Sequence, residues 1–246
     1  MIKLTSHNNF LIYSTKNASE DESIKSILEH MLIEFDLIFT KSLTSLEPCY
    51  ISKNYALGYP ILITNEDNLR ISLAVDSYLK WNQTVYQLSH ELCHYILNQT
   101  ANGKETLKWF EETLCEAMSL YILDFFYETW SDCSLSQYNS KYFTKMKSYL
   151  DNELVKHHKN GLKSCKTIED LNKINSRSEI DRSDRISERN NLFELFKSNK
   201  GQKEKIALIK DYQKYISSNG LTIDFAKWYE ETGEEFIQKL SKIQPI

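Results

Sequence analysis

Two histidines and a glutamate lie close together near the middle of the chain, and side chains of these types can carry out chemistry together. Residues 90–94 read HELCH, so His90 and His94 are four positions apart and Glu91 follows the first histidine. On a helix, residues four apart lie on one face, and two imidazoles placed in this way can bind one Zn²⁺. The adjacent carboxylate can accept a proton from the attacking water. The spacing therefore predicts a zinc centre with His90 and His94 as ligands and Glu91 as the general base.

The helix predicted around this segment, over residues 84–98, has the polarity that such a centre needs. Its apolar residues share one face: Val85, Leu88, Leu92, Tyr95 and Ile96. His90 and His94 project together from the opposite face, which two incidental histidines would have no reason to do. Thr84 and Gln87 have the spacing of a capping box, so we expect the helix to begin there.

The third protein ligand is predicted on the next helix, over residues 106–128. A catalytic zinc site needs three protein ligands and an open position for water. Glu112 and Glu116 form a narrow polar stripe on this largely apolar helix, where carboxylates cost free energy unless they are paired or bind a metal. Their spacing of one turn allows one to bind zinc while the other orients a ligating histidine through a hydrogen bond. Glu111 lies off the stripe, and we expect it to be solvated.

The two segments together resemble the gluzincin branch of the zincin metallopeptidases. The resemblance rests on the HELCH segment and on residues 109–116, WFEETLCE, which are similar to the W-[LF]-x-E-G-x-A-E block of several gluzincin families. It implies a zincin-like fold in which His90, His94 and Glu112 bind zinc and Glu116 supports a ligand. The resemblance is confined to about a quarter of the chain around these segments.

A competing alignment leaves the identity of the third ligand open. Residues 115–119, CEAMS, also resemble the N-E-A-I-S block of the thermolysin-like branch, which would make Glu116 the zinc ligand. We prefer Glu112, because Glu116 then occupies the acidic position one turn later. If Glu116 were the ligand, Leu120 would stand at that position.

The order of the predicted elements indicates an α+β protein with a zincin-like fold. Short segments rich in β-branched residues precede the HELCH helix, and nearly all of the later chain has helical periodicity. Residues 1–135 are predicted to form the metallopeptidase core, with an edge strand, the HELCH helix and the third-ligand helix. Residues 136–246 are predicted to form a helical C-terminal lobe that is not independent and has no assigned role. Residues 60–64 and 69–75 could form a hairpin, and residues 71–75 are predicted as the edge strand that pairs with an extended substrate.

Composition excludes several other classes of protein. A net charge of −4, from 30 basic and 34 acidic residues, argues against a nucleic-acid or membrane partner, because both need a concentrated basic surface. No segment approaches the roughly 18 apolar residues of a membrane span, and the beginning of the chain lacks a signal-peptide core. The five cysteines are odd in number and widely spaced, which favours reduced thiols. We therefore expect a cytoplasmic protein, and we expect the charged run at 177–189 to be a solvated face.

The sequence thus predicts a zinc metallopeptidase that hydrolyses peptide bonds in a peptide or protein substrate, with Zn²⁺ as the cofactor. The alternative is a catalytically silent zincin-fold protein that binds or regulates a partner, although Glu91 would then have no role. A group that stabilises the oxyanion of the transition state is expected as well. Tyr121 and Tyr127 are candidates for it, and the sequence does not choose between them.

Overall fold

The chain has the α+β organisation that its sequence predicts, with a small mixed sheet followed by a long run of helices. A computed structural model describes residues 1–39, 43–64, 68–100, 106–156 and 159–245. The strands are β1 (Ile2–Lys3), β2 (Phe10–Ile12), β3 (Cys49–Lys53), β4 (Ile61–Ile63) and β5 (Leu69–Leu73). The helices are α1 (Ala18–Phe39), α2 (Trp81–Thr100), α3 (Lys108–Thr129), α4 (Phe143–Leu154), α5 (Gly161–Ser164), α6 (Ile168–Arg177), α7 (Ile186–Ser198), α8 (Lys203–Ile206), α9 (Phe225–Thr232) and α10 (Glu235–Leu240). Short 3₁₀ segments connect them, including Arg182–Arg185 and Ala207–Tyr215.

The strands are arranged in the order β1-β2-β3-β5-β4. β2, β3 and β5 run parallel, with Ile51 of β3 opposite Ile71 of β5, whereas β1 and β4 are antiparallel to their neighbours. The predicted hairpin is confirmed, since β4 and β5 pair with Ile61 opposite Ser72. The prediction that residues 71–75 form an edge strand is wrong, because β5 lies between β3 and β4. Among the described strands, the outer position next to β5 belongs to β4.

One compact unit comprises Met1–Gln99 and Ser119–Glu153. In it, α1 and α2 carry continuous buried apolar faces, and the ring of Tyr95 on α2 meets Phe10 of β2 edge-on at 5.5 Å. α1 begins one residue after Asn17, whose side-chain oxygen accepts the backbone N–H groups of Ser19 and Glu20. This cap supplies partners for N–H groups that the first turn of a helix leaves unsatisfied.

A second compact unit comprises Thr100–Met118 and Leu154–Ile246. Its core is aromatic, with Phe110 of α3 close to Tyr212 and Phe225 at ring distances of 5.4 and 6.0 Å. Trp228 of α9 stacks on Tyr215 at 4.9 Å. α3 is continuous along the chain, and its residues are divided between the two units after Met118.

None of the described helices is both long enough and apolar enough to cross a membrane. The five cysteines all lie within the described residues, are buried and form no disulfide. This agrees with the expectation of reduced thiols. Burial raises the pKa of the Cys49 thiol to about 12, so this side chain behaves as a small apolar group.

Candidate metal centre

One side chain of α2, the helix that carries the two histidines, is hydrogen-bonded to the backbone at the end of β5. Gln87 accepts the backbone N–H of Ala74 at 2.8 Å and donates to the carbonyl oxygen of the same residue at 3.3 Å. α2 begins at Trp81 rather than at Thr84, so the predicted capping box is wrong and Gln87 lies inside the helix. Its hydrogen bonds satisfy the backbone just after β5 and fix α2 one turn before His90.

His90 and His94 face each other on consecutive turns of α2. Their Nε2 atoms are 3.2 Å apart and their rings meet at 70°. Two Nε2 ligands at the usual Zn–N distance, in tetrahedral geometry, would be separated by about 3.3 Å. His90 is buried and His94 is half-buried. The imidazole pair therefore has the separation that one tetrahedral ion requires.

Glu112 of α3 completes a group with a metal-binding donor set. One ligand atom from each of His90, His94 and Glu112 lies within 4.8 Å of the others. Among the described residues, this is the only group of three or more potential metal ligands that lie so close together. Two imidazole nitrogens and one carboxylate oxygen form a donor set that zinc accepts, and a fourth position is left for water or substrate. Glu91 is also buried, with 4% of its surface exposed. The group of His90, His94 and Glu112 could therefore hold a metal ion, and its donor atoms are of types that zinc accepts.

Glu116 has a different partner from those expected. Its Oε1 accepts a hydrogen bond from Nη2 of Arg185 at 2.7 Å, and both side chains are completely buried. Nε of Arg182 lies 3.9 Å from the same oxygen, and Oε2 of Glu116 has no hydrogen-bond partner among the described residues. Among the described residues, Glu116 is therefore hydrogen-bonded to Arg185 rather than to a histidine.

Tyr121 and Tyr127, the two candidates for stabilising the oxyanion, lie in different environments. Tyr121 donates its hydroxyl to Glu34 of α1 at 2.6 Å in the buried core. Burial and the charge of Glu34 raise the pKa of Tyr121, so the hydroxyl keeps its proton. Tyr127 is half-buried, with its ring 6.1 Å from that of Phe143. The Tyr121 hydroxyl is thus engaged with a carboxylate within the fold.

The burial of Arg185 and Arg189 was not predicted, because residues 177–189 have the mixed charges of an ordinary surface segment. The prediction of a solvated face at 177–189 is wrong for Arg185 and Arg189, which are 0% and 2% exposed. Glu111 was expected in solvent, but it is buried and accepts the hydroxyl of Tyr212. The spacing of Arg182, Arg185 and Arg189 along one helical face was the available signal.

Comparisons with protein-family models, with curated proteins and with solved structures gave no match to this chain. The structure combines a mixed sheet, a helix with two facing histidines and a following helix with a carboxylate close to them.

Proposed function

We propose that the protein is a zinc-dependent metallopeptidase with a zincin-like fold of the gluzincin type, and that it hydrolyses peptide bonds in a peptide or protein. The observation that carries the proposal is the group of His90, His94 and Glu112, with ligand atoms within 4.8 Å of one another. Structural zinc sites favour four Cys or His ligands, whereas two histidines and one glutamate are a donor set of catalytic sites. The buried Glu91 beside His90 supplies the general base that such a site needs.

In the proposed hydrolysis, the metal ligands and Glu91 would have separate roles. When bound, zinc supplies a Lewis acid for the substrate carbonyl and lowers the pKa of water to about 7. His90, His94 and Glu112 would hold the ion through two nitrogens and one oxygen. Glu91 accepts a proton from the attacking water at a carboxylate oxygen. It then delivers this proton to the leaving nitrogen as the peptide bond breaks, so the carboxylate is restored.

The sheet supports the proposal of a peptide substrate through its outer strand. β4 pairs with β5 on one side, and no described strand lies on its other side. Its residues Ile61, Leu62 and Ile63 are half-buried, so an extended peptide could add to this edge through main-chain hydrogen bonds. β5 leads directly to Ala74, where Gln87 attaches the histidine helix. The proposed peptide edge and the histidines thus belong to one connected framework.

The decisive experiment compares wild type with Glu91→Gln. Both proteins are purified with zinc, their metal content is measured, and cleavage of a mixed peptide pool is followed by mass spectrometry. We expect both to hold zinc and Glu91→Gln to cleave about 10²–10⁴-fold more slowly, because a positioned general base contributes that much. Glu29→Gln on α1 is the matched control and should cleave like wild type.

Two outcomes would contradict the proposal in different ways. Zinc binding without any cleavage that depends on Glu91 would favour the silent zincin-fold protein that binds or regulates a partner. A wild-type protein that takes up no zinc, and that His90→Ala leaves unaffected, would remove both zinc functions.

A further inference from the structure

Two hydrogen bonds from Trp109 connect the first turn of α3, the helix that carries Glu112, to residues that are distant in the sequence. The backbone N–H of Trp109 donates to Oδ1 of Asn175 at 3.0 Å, and its indole Nε1 donates to the carbonyl of Leu221 at 2.9 Å. Trp109 is completely buried. These bonds fix the first turn of α3 through both its backbone and its side chain.

A second attachment lies directly beside Glu112. The hydroxyl of Tyr212, in the 3₁₀ segment Ala207–Tyr215, donates to Oε2 of Glu111. Both residues are buried, and the Tyr212 ring also contacts Phe110 at 5.4 Å. This hydrogen bond is one of the contacts that hold the buried Glu111 side chain, and with it this turn of α3, in its orientation.

A third attachment lies one turn after Glu112. Arg185 binds Oε1 of Glu116 at 2.7 Å and also donates through Nη1 to the carbonyl of Asp181 at 3.1 Å. A fully buried ion pair adds little net stability over an apolar pair of similar size, because desolvation offsets the attraction. Its effect on geometry is larger, since a planar guanidinium accepts only a narrow range of carboxylate positions.

We propose that Arg185 and Tyr212 are positioning residues for Glu112. They hold the helix on both sides of it, at Glu111 and Glu116, and so set the rotation of α3 that presents the Glu112 carboxylate to the ion. The inference rests on the proposed function, because it takes Glu112 as a zinc ligand. The inference also provides a role for the C-terminal helical part of the chain, to which the sequence assigned none. This part would fix the orientation of one ligand helix.

The first test measures the zinc affinity of the full-length protein by competition with a chromophoric chelator. Tyr212→Phe removes only the hydroxyl, and we expect it to weaken zinc binding about tenfold, as the loss of a group that supports a ligand does. Tyr215→Phe is the matched control, because the Tyr215 hydroxyl donates to Glu231 at 2.9 Å within the same compact unit. It should leave the zinc affinity unchanged. Melting temperatures measured without metal show how far each variant is destabilised.

The second test separates positioning from general stability at the ion pair. Arg185→Met leaves the Glu116 charge buried and should lower both the melting temperature and the zinc affinity. Adding Glu116→Gln removes that charge and should recover much of the melting temperature. The zinc affinity of the double variant should stay about tenfold below wild type, because the guanidinium that held α3 is still missing. A purely structural pair would recover both properties together.

The proposal is overturned if Tyr212→Phe binds zinc as tightly as wild type, or if the double variant regains wild-type affinity together with its stability. Should Arg185→Met fail to fold, the Tyr212→Phe comparison decides alone. If wild type binds zinc but cleaves no peptide, the proposed function fails while the positioning of Glu112 is still judged by affinity. If wild type binds no zinc, both are overturned.

Discussion

The Nε2 atoms of His90 and His94 lie 3.2 Å apart on consecutive turns of α2. This separation follows from the four-residue spacing on a helix together with burial of the first ring. It is close to the separation of about 3.3 Å between two nitrogen ligands of one tetrahedral zinc ion.

Removing either imidazole should abolish stoichiometric zinc binding. We expect His94→Ala to fall from about one zinc per chain to a small fraction after gel filtration, because only one nitrogen ligand remains for an ion that needs three protein ligands. Metal content is measured by inductively coupled plasma mass spectrometry. His7→Ala is the control, since His7 is engaged with Asp36 at 2.8 Å. Near-stoichiometric zinc in His94→Ala would contradict the assignment.

Glu112→Gln and Glu116→Gln should have opposite profiles and so decide between the two alignments. Glu112→Gln should lose more than about 100-fold in zinc affinity with little loss of stability, because it removes a proposed ligand. Glu116→Gln leaves the Arg185 guanidinium buried without its counter-ion, and its free energy of unfolding should fall by about 3 kcal/mol. Its loss of zinc affinity should be about tenfold. Chelator competition and urea unfolding measure the two quantities, and the reverse pattern would identify Glu116 as the ligand.

Gln87→Ala should destabilise the fold without touching a proposed ligand. The substitution leaves the buried N–H and C=O of Ala74 without their side-chain partners, which we expect to lower the free energy of unfolding by about 2 kcal/mol. Gln99→Ala removes an exposed hydrogen bond to the backbone N–H of Glu47 and should change it by less than about 0.5 kcal/mol. Equal effects of the two substitutions in urea unfolding would argue against Gln87 as the link between β5 and α2.

Stability should decrease as the pH falls below about 6.5, the unperturbed value for histidine, because of His30. Burial lowers the pKa of His30, and the nearby acids Asp132 and Glu34 only partly oppose this. The unfolded chain therefore takes up a proton at a higher pH than the folded chain. The stabilisation that neutral His30 provides is complete above the pKa of His30 in the unfolded chain, and it is lost as the pH falls toward the pKa of His30 in the folded chain. In His30→Gln, the free energy of unfolding should change less between pH 7.5 and pH 5 (about the range in which histidine titrates), because glutamine does not titrate. An unchanged slope would exclude this residue as the source.

Local features of the site were predictable from the sequence because short-range helix geometry determines them. The facing histidines, the apolar opposite face of α2 and the carboxylate stripe on α3 all follow from positions within one or two turns. The same holds for the α+β order and for the hairpin of β4 and β5. The roles of these residues in binding zinc and in hydrolysis remain predictions for the experiments above.

The amino-acid sequence alone therefore determined which helices carry the candidate ligands and which way the two histidines face. Only the tertiary structure decided that β4, not β5, is the outer strand, and that Gln87 binds Ala74 instead of capping its helix. It alone paired Glu116 with Arg185, 69 positions away, and Glu111 with Tyr212, 101 positions away. The physical reason is that a helix fixes its neighbours by a repeating backbone geometry. The partner of a buried charge, in contrast, is selected by the whole packed core, and no local spacing specifies it.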